Sequence, residues 1–269
     1  MSPDEEDRLV QQLLSQYNDD ARADCARSRF ALNADCAKRY LRARQWSCTK
    51  AKTMLDATIA WRREFGLEGL HEKKWDAVLA KENATGKMYV RGFSQCGRPL
   101  LYMKPRFENT HEYDGNLKHL VYNMERAASI MDNEDSGAPS GNEEKKILLL
   151  IDYKDYSLFN APPMKTSMDT LSILQNHYPE RLFRAYCINP PFIMHGFWAM
   201  ISPFIDPVTK DKIHMVHDTK ELLRAVDKSQ LEQGLGGELA ETFSSEAYLR
   251  SALSLDYNAA CEACKSSDA

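Results

Sequence analysis

Residues 175–212 read QNHYPERLFRAYCINPPFIMHGFWAMISPFIDPVTKDK, and they set a helix end, a short strand and a long apolar segment in immediate succession. A helix closes at His177–Tyr178–Pro179, because proline has no amide to donate and disfavours helix in the residue before it. The apolar run 183–188 predicts a strand. Pro190–Pro191 then launches Phe192, Ile193, Met194, Phe197, Trp198, Met200, Ile201, Phe204 and Ile205. Glu180 stands before this segment and Lys212 after it. So dense an aromatic stretch suggests a wall that faces something apolar.

Working outward, residues 88–91 and 100–104 read as short strands joined by Cys96–Gly97–Arg98–Pro99, a turn punctuated by glycine and proline. A helix is expected over 116–131, with Leu117, Leu120, Val121, Met124, Ala128 and Met131 on one side. A polar loop over 132–146 leads to the unbroken apolar run 147–151, ILLLI, the pattern of a strand covered on both faces. A helix over 164–177, the strand 183–188 and a last strand near 212–216 complete an alternating order. That order predicts an α/β class with a mainly parallel or mixed sheet and helices packed against it.

The first 80 or so residues read as helical. Leu9, Val10, Leu13, Leu14 and Tyr17 recur at helical spacing behind an acidic first turn, which suits the positive end of a helix dipole. Residues 38–44, KRYLRAR, form a short basic helix, and Thr49 is expected to cap a longer one ended by Gly66. The expected division is a helical domain over 1–85, an α/β domain over 86–248 and a tail over 249–269.

Composition narrows the function. The 269 residues carry a formal net charge of −4, against a general nucleic-acid binder, whose affinity for phosphates needs clustered excess cations. No apolar run reaches the roughly 20 residues of a membrane-spanning helix. The start, MSPDEEDRLV, lacks the basic-then-apolar order of a signal peptide, so a soluble intracellular protein is expected. Seven scattered cysteines fit a reducing compartment, and Cys261–Cys264 has CxxC spacing without a second pair or histidine beside it.

Motifs for catalysis are missing: no GxSxG, GxGxxG after a strand, HExxH or Walker loop occurs. Cys36 and Arg42 have the CX5R spacing of a phosphatase loop, but CAKRYLR prefers helix to an amide-lined loop. The glycines of 234–237 follow a helix and offer no phosphate-binding lysine, so they read as a bend. Asp152 ends a strand where α/β enzymes often keep an acid, yet no nucleophile and histidine partner it, and a structural hydrogen-bonding role is expected. Neither an enzyme nor a metal or organic cofactor is implied.

Binding remains. KRYLRARQW, TMLDATIAWRREF, GRPLLYMKP, LLLIDYKDY, QNHYPERL, INPPF and SPFIDPVTKDKI, in order and nearly without gaps over about 34–240, resemble the CRAL-TRIO lipid-binding family, in particular its fungal phosphatidylinositol-transfer branch. The resemblance implies a small helical domain beside an α/β domain whose sheet floors an apolar pocket, with the segment after INPPF as a gate helix. It also implies an inositol-lipid signature, which here is Arg44, Glu180, Thr209 and Lys212. Arg44 and Lys212 would offset phosphate charge, while Glu180 and Thr209 would bond inositol hydroxyls or hold the cations. Read singly, Arg44 equally suits a solvated helix face, Glu180 a local pairing with arginine, and Lys212 a strand-edge charge. Gln45 departs from the lysine frequent after RAR.

The choline-lipid signature of that branch is not kept. Positions for serine, threonine and tyrosine hold Ile147, Leu149, Leu101 and Met124 instead, so the buried end loses its means of holding phosphocholine. Lys104, Pro105, Asn109 and Thr110 resemble a sub-branch whose second ligand is a sterol. The expectation is phosphatidylinositol plus a sterol-like or other apolar counter-ligand, with Phe192, Phe197, Trp198, Met200 and Phe204 on the gate. Each buried methylene contributes about 0.8 kcal/mol, so two acyl chains gain on the order of 20 kcal/mol against water, much as they do in a bilayer. Exchange therefore belongs to a docked state. Two readings follow: a monomeric carrier that moves phosphatidylinositol between membranes or presents it to a lipid kinase, and a lipid-gated sensor without net transport. Cytoplasmic placement with peripheral membrane contact is expected for both.

Overall fold

The computed structural model describes residues 1–132 and 139–251, Leu158 and His195 by backbone alone. Residues 133–138 of the expected polar loop and 252–269 of the expected tail, with Cys261 and Cys264, lie outside the described residues. The chain divides into two compact units, one of Met1–Asp76 with Leu171–Glu180 and one of Ala77–Thr170 with Arg181–Ala269.

In the first unit the helices are α1 (Pro3–Leu14), α2 (Asp19–Arg27), α3 (Ala34–Ala43), α4 (Cys48–Phe65) and α5 (Glu68–His71). Ser2 caps α1 by accepting from the Glu5 amide, Pro3 opens it, and Asp4, Glu5 and Glu6 fill its first turn. The longer helix begins earlier than expected: Ser47 is its cap and Thr49 lies inside, because Ser47 holds the extended backbone from which a side chain reaches the Lys50 amide. Gly66 ends it at φ +77°, a left-handed conformation that costs glycine little. Val10, Leu13, Cys36, Ala37, Tyr40, Leu41, Ala51 and Leu55 form its core, with Tyr17 packed on it from just beyond the end of α1.

The second unit contains α6 (Asp76–Asn83, whose first residue belongs to the other unit), β1 (Met88–Phe93), β2 (Pro99–Met103), α7 (Tyr113–Asp132), β3 (Ile147–Asp152) and α8 (Met164–His177), whose last seven residues count with the first unit. It continues with β4 (Leu182–Ile188), α9 (Met194–Ile201), α10 (Pro207–Lys210), β5 (Ile213–Val216) and α11 (Ser245–Arg250). The strands lie in the order β1-β2-β3-β4-β5, with β1 antiparallel to β2 and the other neighbours parallel. The sheet is therefore mixed and mostly parallel.

Register assigns each side chain to a face, because in-register neighbours point the same way and successive residues alternate. One face carries Tyr102, Leu150 and Tyr186 in one row and Ile188 and Val216 in the next; all are buried. The other face carries Val90, Leu101, Leu149, Ala185 and Ile213 in one row, then Met88, Met103, Ile151, Cys187 and Met215. Every one of these ten is apolar. Leu149 and Ile151 sit on the central strand yet are only half-buried, as are Met103 and Ile213, and Met215 is 42% exposed. The expectation of a strand sealed on both sides thus holds for one face of β3 alone.

Two histidines couple stability to pH. His119 is fully buried, and burial first, then the charge of Lys87, lowers its pKa to about 3. Its Nε2 faces Asn83 Oδ1 at 3.0 Å; the Asn83 amide nitrogen faces Ser245, so the proton lies on Nε2 and Nδ1 is left without a partner. His177 falls to about 4 through burial and the charge of Arg62. Between those values and the ordinary 6.5 the unfolded chain binds more protons than the folded one. Stability is accordingly full above about pH 6.5 and declines as pH falls toward 4. Urea midpoints measured across this window will show the decline, and His177→Gln will flatten part of it. The asymmetry of β3 gives a second outcome: Leu150→Ala costs about 2–5 kcal/mol, and Leu149→Ala, on the half-open face, less than half as much.

Candidate functional site

The half-open apolar face is the natural seat for an apolar ligand, and Leu101 and Leu149 are direct neighbours in its first row. Ile147 precedes them on the same side of β3 and is buried. Met124 is buried on α7. At the centre of the second row burial pushes the Cys187 thiol up to about 12, so it stays protonated and acts as a small hydrophobe.

Thr209 and Lys212 are held on the approach to β5. Asp206 caps α10, its carboxylate accepting from the amides of Val208 (2.8 Å) and Thr209 (3.1 Å) and from the Thr209 hydroxyl (2.7 Å). Burial acts to raise the Asp206 pKa, but these hydrogen bonds and the charge of Lys212 hold it below the usual carboxylate range. Lys212 donates its amide to Thr209 O at 3.1 Å, and its carbonyl accepts from Ala185 of β4 at 2.9 Å. The backbone is thereby fixed, and the half-buried Lys212 side chain has no ion pair among the described residues. The role of Asp206 was missed in the sequence reading. Its signal was Asp directly before Pro, an N-cap followed by a first-turn proline.

Arg44 and Glu180 belong to the first unit. Arg44 ends α3 half-buried, and Nη1 donates to Ala43 O at 2.9 Å. Gln45 and Trp46 follow at φ +52° and +62°, and Glu180 has φ +58°; side chains with a Cβ rarely take this region. The two segments are tied through α8. Tyr40, four residues before Arg44, donates to His177 O at 3.4 Å, three residues before Glu180. The Thr58 hydroxyl lies 3.2 Å from Asn176 O, and Trp61 stacks on His177 with ring centres 4.2 Å apart. The structure thus brings together the segments of Arg44 and Glu180 in one unit, and Thr209 with Lys212 in the other.

The aromatic segment starts at Asn189, φ +52°, whose amide donates to Val216 O at 2.8 Å. α9 has eight residues and no side-chain N-cap, which makes it marginal by itself. Met194 and Ile205 are buried and pin its flanks. Between and around them Phe197 and Trp198 are half-buried, Met200 and Phe204 exposed, and Phe192 88% exposed. A β-carbon at Gly196 would meet nothing within 4 Å. Phe107 and Phe159, the latter 90% exposed, follow the carboxyl ends of β2 and β3 on short helical turns (Pro105–Phe107 and Leu158–Asn160) that lie against each other. Sequence reading overlooked both, since an isolated loop phenylalanine has no periodicity to mark it.

Other polar residues are engaged inside the fold. Lys104 is buried and pairs with Glu232 at 2.5 Å, a carboxylate that also meets Arg91 at 3.2 Å and accepts from Tyr89 at 2.5 Å. Thr110 donates to Glu82, and Asn109 to Lys81 O. Asp152 pairs with Arg106 at 2.5 Å, in keeping with a structural role. A groove of about 440 Å³ on the helical unit is lined by Asp24, Lys52, Asp56 and Arg63 beside Tyr17. Charges of both signs make it a poor match for an apolar guest.

Comparison with known proteins agrees with this geometry. A CRAL-TRIO domain-containing protein of Schizosaccharomyces pombe is 38% identical over 82% of this chain and 20% of its own length. The phosphatidylinositol transfer protein PDR17 of Saccharomyces cerevisiae is 36% identical over 82% of this chain and 62% of its own. The chain therefore spans about a fifth and about three-fifths of these relatives. The crystal structure of Sfh5 superposes with a TM-score of 0.69 at 16% identity, covering 100% of this chain and 99% of that one, which establishes a shared fold. The model of the CRAL/TRIO domain matches residues 83–237, more than half of the sequence, and the chain accordingly belongs to the CRAL/TRIO family.

Proposed function

We propose that this protein binds phosphatidylinositol and transfers it between membranes, exchanging it for a second apolar ligand. The observation that carries this reading is the apolar face of ten residues across the five strands, left partly open at Met103, Leu149, Ile151, Ile213 and Met215. The name and likeness of PDR17 supply the lipid class. Residues 86–248 act as the lipid-binding domain, and the protein works as a monomer in the cytoplasm with peripheral membrane contact. Among the described residues no helix is long and apolar enough to cross a membrane.

Within this reading Lys212 and Arg44 meet the head-group phosphate, and Thr209 and Glu180 its hydroxyls. Leu101, Met124, Ile147 and Leu149 line the acyl end, and Phe192, Phe197, Trp198, Met200 and Phe204 form the gate. The second ligand is sterol-like, because the residues that would bond a phosphocholine are apolar. A lipid kinase is the expected consumer of the presented phosphatidylinositol.

Transfer of labelled phosphatidylinositol between vesicles tests the function. Wild type will transfer it rapidly; tight binding without turnover would favour a sensor, and detected conversion of the lipid would favour an enzyme. Lys212→Ala removes one charge-assisted hydrogen bond and will lower uptake about tenfold to a hundredfold. Phosphatidylcholine exchanged as fast as phosphatidylinositol would overturn the ligand assignment, and a sterol found by native mass spectrometry of protein from cells would support it.

A further inference from the structure

The two edge strands of the sheet, β1 and β5, are finished differently. Along β1 the Val90 amide donates to the Tyr248 hydroxyl at 2.8 Å and the Phe93 amide to Gln230 Oε1 at 3.2 Å, so side chains cap that edge. β5 carries no such cap among the described residues. Its inward groups are fixed by the ladder to β4, where the Lys212 carbonyl accepts from the Ala185 amide and the Val216 carbonyl from that of Asn189. Alternation then turns the amides and carbonyls of Ile213 and Met215 outward. None of these four groups hydrogen-bonds with any described residue. A row of open donors and acceptors is a template for another strand. The exposed Met215 and half-buried Ile213 supply apolar surface beside it.

We propose that β5 pairs with β5 of a second copy of this chain, antiparallel about a two-fold axis at His214. With the axis there, Ile213 of each copy faces Met215 of the other, and each of these pairs exchanges both its backbone bonds. The next positions outward meet as Lys212 with Val216, Asp211 with His217 and Lys210 with Asp218. A carboxylate thus opposes a donor ring and an ammonium opposes a carboxylate, on residues that are exposed apart from the half-buried Lys210. This self-complementary charge pattern is what selects a second copy as the occupant. Since only β5 is open, the pairing closes on itself and does not propagate as a fibre. A strand of 4 residues gives a short contact, so the pair exchanges with the monomer, which is the lipid-carrying form in the reading above. The inference goes beyond that reading and does not depend on the ligand.

The test is analytical ultracentrifugation of the full chain over a range of concentrations near neutral pH. Wild type will pass reversibly from monomer to dimer as concentration rises. Met215→Pro removes an outward donor that no internal bond uses, and proline is tolerated at such a place on an edge strand. It will keep the circular dichroism spectrum of wild type and abolish the dimer. Asp211→Lys and His217→Glu will each weaken association about threefold to tenfold, and the double variant will restore it. Should Met215→Pro unfold, this charge cycle decides the matter. Wild type that stays monomeric to the limit of its solubility overturns the inference. So does a dimer that survives Met215→Pro with the fold intact, or a charge cycle without rescue. Growth beyond the dimer overturns the closed two-fold pair. Failure of phosphatidylinositol transfer, measured separately, overturns the functional reading alone.

Discussion

Side-chain alternation along the central strand is the constraint on which the rest of this structure depends. Leu148 and Leu150 point into a sealed layer with Tyr102 and Tyr186, while Leu149 and Ile151 point the other way into space that the protein fills only in part. Because the period of a strand is two, a slip of one residue would drive the buried tyrosines onto the open side. The sealed layer therefore fixes the register, and the register in turn assembles the apolar rows on the opposite side.

Charge is handled in two ways within the same α/β unit. Lys87 with Glu82 and Glu108, and Lys104 with Glu232, are enclosed pairs whose partners satisfy each other. Enclosed pairs of this kind add little to net stability but are costly to break, so they fix how neighbouring segments meet. Lys212 is different: its backbone is bonded on both sides while its side chain makes no ion pair among the described residues and acts on Asp206 only through its charge. Asp206 spends its own charge on ordering the turn that holds Thr209, so rigidity and charge are supplied by separate residues.

Much of this was legible in the sequence. Helix α8 ends where proline forbids continuation, and β2 to β5 announce themselves as apolar runs bounded by breakers. The sheet class followed from their alternation with helices. α2 was not legible as a separate helix, because DDARADCAR leaves only Cys25 buried and gives periodicity nothing to detect. Nor was the difference between enclosed and solvated charges: Glu232 and Lys104 look like any surface pair until long-range folding joins residues 128 apart. The Ser47 cap escaped because Ser and Thr two positions apart are chemically interchangeable there. The left-handed residues Gln45, Trp46 and Glu180 have no compositional mark, since glycine would be the expected occupant.

The lateral row Met88, Met103, Ile151, Cys187 and Met215 places sulfur on four of five strands at one level. Thioether chains are unbranched and polarisable, and they change rotamer at low cost. A floor tiled this way moulds itself to kinked and straight hydrocarbon alike, where a floor of valine and isoleucine would dictate one outline. For the lipid guest proposed above, selectivity by tail shape would be correspondingly weak at this level, and discrimination would fall to polar groups elsewhere.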